Sequence, residues 1–133
     1  MKEITVYDLN LVLQLIIFSL FLAGIYYMKG SKKSLSKHRF FMGMAVVLNA
    51  FSIFLIMGRS LFSSLGILTM RPYAFGPLVT WTHAVVGGCA EVLGVAFLRK
   101  HRQNVRFRMR IATILWVVAL LLGIAYYVYY YLL

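Results

Sequence analysis

Hydrophobic positions in this chain gather into four long runs, divided by two basic stretches and one mixed connection. The first run, Leu9–Met28, has Gln14 and Ser19 as its polar interruptions beyond Asn10 at its start, and the second, Phe40–Met57, has Asn49 and Ser52. The third is Leu78–Leu98 and the fourth is Ile111–Leu133. About 20 residues at about 1.5 Å rise each cross about 30 Å of hydrocarbon, so each run predicts a membrane-spanning helix. Asp8 or Asn10 is expected to cap the first helix, since their side chains accept hydrogen bonds from its orphan N–H groups. The connection Gly58–Pro77 carries Arg59, Arg71 and both prolines, and is expected to lie outside the membrane with a short interfacial helix at Leu61–Leu68. The pattern predicts an all-α, polytopic integral membrane protein, with residues 1–133 as one domain of four transmembrane helices forming a bundle.

Composition agrees. Hydrophobic residues make up 62% of the 133 positions and charged residues 13%. A soluble domain carries about 25% charged residues. The net charge of +11 would suit nucleic acid on a soluble fold. Here the cations cluster between apolar runs, and no basic face of a soluble fold exists to present them. One cysteine excludes an internal disulfide and a Cys-rich zinc site. The first run is too long for a signal-peptide core and no A-x-A site follows it, so no cleavable signal is expected.

The charges also orient the chain. Lys29–Arg39 holds five Lys/Arg and Arg99–Arg110 holds six, leaving Lys2, Arg59 and Arg71 for the other side. The positive-inside rule predicts cytoplasmic basic loops and both termini outside the cell membrane. Each basic loop carries a Lys-His-Arg triplet, at Lys37–Arg39 and Lys100–Arg102. The chain thus reads as a pseudo-repeat of two helical hairpins, of the parallel kind related by an axis along the membrane normal.

The buried polar candidates are Glu91, Asn49 and Gln14. Glu91 lies about 12 Å from Arg99 along its helix, and Asn49 about 15 Å from Arg39, so the two are expected to be hydrogen-bond partners. By the same rise, Gln14 lies near the level of His83. Gly87, Glu91 and Gly94 share one stripe, which lets a neighbouring helix approach and turns Glu91 inward. A carboxyl there either bridges helices or handles protons; ionisable groups inside a membrane are functional candidates by default. His83, beside Trp81, is either an interfacial histidine or a ligand for haem or copper, since imidazole binds both. His38 and His101 read as loop residues, and Cys89 as a small buried hydrophobe. There is no phosphate-binding glycine loop, no GxSxG and no HExxH, and one intramembrane carboxylate excludes paired-acid hydrolysis.

His38-Arg39-Phe40-Phe41-Met42, then His83, then His101-Arg102, then the stretch from Arg108 to Tyr127 resemble the small four-helix membrane proteins of the YozB/CtaM type. That pattern is HRxxM, a histidine in the third span, HR after it, and a closing span with Trp and a late Gly. The likeness covers nearly everything after the first span, departing in the short middle loop and in Glu91. It implies a membrane accessory or assembly factor of a respiratory haem-copper oxidase, more a non-enzyme than an enzyme, with other membrane subunits as partners. It makes the histidines candidates for haem b or copper. On it, His38 and His101 form an inner-side ligand pair, with Arg39 and Arg102 suited to haem propionates. His83 is then a separate outer site with Gln14 or Met57 as its nearest candidates. A haem b electron-transfer subunit and a small transporter or proton pathway through Glu91 are the alternatives.

Overall fold

The structure is a computed structural model that describes residues 5–29, 33–71, 73–99 and 105–133. Every regular element among them is helical. Helix α1 spans Val6–Tyr26, α2 Leu35–Ser52, α3 Gly58–Met70, α4 Phe75–Arg99 and α5 Val105–Tyr127. A π-helical turn, Ile53–Met57, joins α2 to α3, and a second, Val128–Leu132, follows α5. Four helical stretches are long and apolar enough to cross a membrane.

The helix starts differ from expectation for local reasons. The first begins earlier, at a capping box: Thr5 Oγ1 accepts from the Asp8 N–H at 3.3 Å, and Asp8 Oδ2 accepts from the Thr5 N–H at 2.7 Å. Asp8 is therefore the third helical residue rather than the cap, and Asn10 lies within the helix. Ser34 caps α2, accepting from the Lys37 N–H. His38 and Arg39 thus belong to the first turns of a helix and not to a loop. Likewise α5 opens at Val105, so Arg106, Arg108 and Arg110 are helical.

The largest difference concerns Gly58–Pro77, expected as a connection with a short helix at Leu61–Leu68: those residues are helical, within the longer α3. Helical hydrogen bonding runs unbroken over Leu35–Met70, 36 residues. Nothing in Ile53–Met70 breaks a helix: its glycines weaken one without ending it. Pro72 disfavours helical conformation in the residue before it, and the helix ends at Met70. Pro77 falls in the first turn of α4, where its missing N–H is one of the orphan donors anyway.

The chain divides into two compact units, Met1–Arg59 and Ser60–Leu133. In the first, α1 and α2 pair as an antiparallel hairpin around Ile17, Phe21, Ala45 and Val46, all buried. Its turn end is closed by the Ser34 N–H donating to the Tyr27 carbonyl and by Tyr27 stacking on Phe41 at 5.4 Å. In the second, α4 and α5 pair as a hairpin around Val79, Ala90, Ala112, Trp116 and Ala119. The start of α4 meets the end of α5: Phe75 packs on the Tyr129 ring, and a Cβ at Gly76 would come within 2.5 Å of the Tyr130 hydroxyl. Phe51, Phe54, Val85, Val92, Ile114 and Leu121 point outward, as side chains facing lipid do.

Candidate functional site

The chemistry-bearing side chains inside the helices sit at three places, two in the first hairpin and one stripe in the second. At one end of the first hairpin, Asn10 and Gln14 lie one turn apart on α1, facing Asn49 and Ser52 on α2. The Gln14 amide donates to Asn49 Oδ1 at 3.3 Å and to Ser52 Oγ at 3.0 Å. The Ser52 hydroxyl donates to Asn10 Oδ1 at 2.7 Å. Ser52 is 1% exposed and is the last α-helical residue before the π turn. Four side chains thus form one connected network at the point where the helical bonding pattern changes. Asn49 bonds to Gln14 within this hairpin. Gln14, offered by depth as a neighbour of His83, has its amide engaged by Asn49 and Ser52.

At the other end of the same hairpin, beyond its dry core, lies His38. It is 7% exposed, and its Nδ1 is 2.7 Å from the Gly24 carbonyl oxygen. A carbonyl only accepts, so Nδ1 carries the proton and Nε2 is left as the second nitrogen. That is the arrangement of metal-binding histidines, whose other ring N–H is held by a carbonyl or carboxylate. It is equally a bolt between helices. Gly24 also makes room for Met42: a Cβ there would meet the Met42 sulfur at 2.7 Å. His38 is therefore neither solvated nor in a loop. Its expected companions His101 and Arg102 lie outside the described residues. Arg39 is exposed at the helix start, and Met57 is half-buried in the π turn.

The second hairpin repeats the device. His83 Nδ1 lies 2.9 Å from the Ala119 carbonyl oxygen on α5, and a Cβ on Gly123 would come within 3.0 Å of the His83 ring. One turn along α4, a Cβ on Gly87 would touch the Ala119 side chain at 3.9 Å, so Gly87 faces α5. One turn further, Glu91 is 8% exposed and buried within its hairpin. Gly88 and Cys89 lie on the outer face of α4. Cys89 is exposed, against its expected burial, because the helix turns its small-residue side to α5 at Gly87 and carries Cys89 about 200° away.

Sequence reasoning missed three features. Gly123, which seats the His83 ring, and Gly24, which seats the Met42 side chain, read only as helix glycines. The Asn10–Ser52 bond was visible in the spacing of Asn10 and Gln14 on one face. The Thr5–Asp8 box was a direct N-terminal signature. A haem or copper site needs more than one donor, and among the described residues no three His, Cys, Asp or Glu side chains gather. His38 fits one ligand position by its tautomer. No family model, curated protein or solved structure matches the chain.

Proposed function

We propose that this protein is a multi-pass membrane accessory factor, acting through helix–helix contact with membrane subunits of a respiratory haem-copper oxidase. The reading places the basic turns in the cytoplasm and both termini outside, by the positive-inside rule. The observation that carries the accessory role is the engagement of the intramembrane polar groups. Asn10, Gln14, Asn49 and Ser52, then His38, then His83, each hydrogen-bond inside their own hairpin. Such bonds lock helix pairs into preformed units, which suits a protein whose outer, apolar faces meet other subunits. A transport path instead needs these groups turned towards a water-filled route. The oxidase itself is inferred only from the resemblance at His38–Met42, His83, His101-Arg102 and Arg108–Tyr127.

The second reading, a haem-binding subunit, is favoured by one observation: both described histidines have Nδ1 held by a carbonyl, leaving Nε2 for iron or copper. His38 with His101 is then the pair.

Mild-detergent purification of the tagged full chain from its own membranes tests both. Co-purifying oxidase subunits with no stoichiometric haem band support the accessory role. A stoichiometric Soret band lost in His38→Ala establishes the haem reading. Neither subunits nor haem would overturn both.

A further inference from the structure

The chain carries fourteen Lys/Arg against three Asp/Glu, a net charge of +11, so most of its cations have no carboxylate of their own to answer them. Glu91 is buried, Asp8 Oδ2 is taken by the Thr5 cap, and Glu3 lies outside the described residues. Among the described residues, most exposed cations lie where each hairpin meets its turn: Lys29, Lys33, Lys37 and Arg39 in the first, Arg106, Arg108 and Arg110 at the start of α5, with Arg59 and Arg71 elsewhere. The α5 cluster has no acidic residue in its first turn. Cations there face the partial positive charge of the helix N-terminus and are disfavoured by it. External anions relieve that repulsion.

The geometry of the cluster selects the kind of anion. Arg106 and Arg110 are one turn apart on one face of α5, and Arg108 lies about 200° around the axis from Arg106. A docked protein covers one face of a helix, whereas a headgroup layer surrounds it. Exposed Phe107 sits among the arginines, and exposed Ile111 follows them into the apolar run. In the first hairpin the Lys37 ammonium lies 5.1 Å from the centroid of the Tyr27 ring. Tyrosine and lysine together at the end of a span are interfacial anchors. We infer that the described cations at each hairpin turn bind anionic phospholipid headgroups, each turn by itself, with Arg106, Arg108 and Arg110 as the core of the second. This goes beyond the accessory role and does not depend on which complex the protein joins.

The test uses the purified full chain in detergent, titrated with phosphatidylglycerol or phosphatidylcholine, with retained lipid counted by native mass spectrometry. Wild type is expected to retain phosphatidylglycerol at least about tenfold better than phosphatidylcholine, and less well at high salt. Arg106→Gln/Arg108→Gln/Arg110→Gln is expected to lose about tenfold. The Arg→Lys triple is expected to keep retention, and Arg59→Gln/Arg71→Gln, outside both turns, is expected to change little. Melting temperatures of all variants check folding, and the lysine triple carries the test if the glutamine triple does not fold: loss of retention in it overturns the charge argument. Equal retention of the two lipids overturns the proposal, as does full retention by the glutamine triple. Displacement of the lipid by inorganic phosphate at matched concentration assigns the site to free phosphate instead. An acidic membrane subunit that co-purifies with wild type and is lost in the glutamine triple, with lipid counts unchanged, assigns it to a protein partner.

Discussion

His83 donates its Nδ1–H to the Ala119 carbonyl across 2.9 Å, and Gly123, one turn along α5, leaves the space its ring occupies. The Ala119 carbonyl belongs to a helix and can also accept from its own helix N–H, so the histidine takes a second lone pair. The same device joins His38 to Gly24 in the first hairpin. In hydrocarbon, side-chain hydrogen bonds between helices average about 0.6 kcal/mol, because the unfolded state in the membrane also finds partners.

His83→Phe keeps a planar aromatic ring, one atom larger, and removes the donor. It is expected to destabilise the purified protein by about 0.6 kcal/mol, up to about 1.7, read from thermal melts in detergent. Gly123→Ala is expected to act on the same contact, because its Cβ would press on the ring at 3.0 Å. The two losses combined are expected to be less than additive, since the second change disturbs a ring already deprived of its bond. Full additivity would separate Gly123 from the histidine.

The Ser52 network makes a stronger claim, because Ser52 both accepts from Gln14 and donates to Asn10. Ser52→Ala leaves a Gln14 donor and an Asn10 acceptor with one bond fewer each. Its cost is expected to exceed that of His83→Phe, at about 1–2 kcal/mol. In a Gln14→Leu/Ser52→Ala cycle, a coupling energy of at least about 0.5 kcal/mol is expected. Independent effects would show that the π turn, and not the network, determines the stability of this end.

The apolar runs were legible because helix length against membrane thickness is a one-dimensional problem, and Leu9–Met28 differs from α1 by only a few residues at each end. Partners were less legible. Depth arithmetic offered Asn49 for Glu91 and Gln14 for His83, because rise per residue compares levels and not contacts. In the structure Gln14 and Asn49 pair with each other. Main-chain acceptors leave no mark in a sequence, so the Gly24 and Ala119 carbonyls were invisible and His38 read as a loop residue. Arg59 and Arg71 looked like punctuation, whereas the helix responds to backbone chemistry and runs on to Met70.

Labelling tests the proposed orientation. Exposed Cys89 lies on the apolar outer face of α4, where Ala fits without a cavity, so Cys89→Ala is expected to change stability by less than about 0.5 kcal/mol. In that background Lys33→Cys is the better reporter than a change at Ser34, whose hydroxyl caps α2. An impermeant maleimide is expected to label it only after the membrane is opened. Labelling of intact cells would reverse the topology.

The register of the second hairpin predicts the environment of Glu91. Gly76 lies against Tyr130 and Gly87 against Ala119, so eleven residues forward on α4 match eleven backward on α5. Four residues beyond Gly87 is Glu91, and the same step back from Ala119 ends at Leu115, beside Trp116. Trp116 is 9% exposed, and a buried indole N–H usually finds an acceptor. The Glu91 carboxyl is the acceptor at that level, so the expected pair is Trp116 Nε1–H donating to Glu91. With Trp81→Phe leaving Trp116 as the only tryptophan, Glu91→Leu is expected to shift emission to the blue as the indole loses its bond. Glu91→Gln, which keeps an oxygen acceptor, is expected to preserve the spectrum and the fold. In melts, Trp116→Phe and Glu91→Leu are each expected to cost at least about 0.6 kcal/mol, and the double variant less than the sum. An unchanged spectrum in Glu91→Leu, together with strictly additive melts, would sink the pairing and leave the carboxyl to another donor.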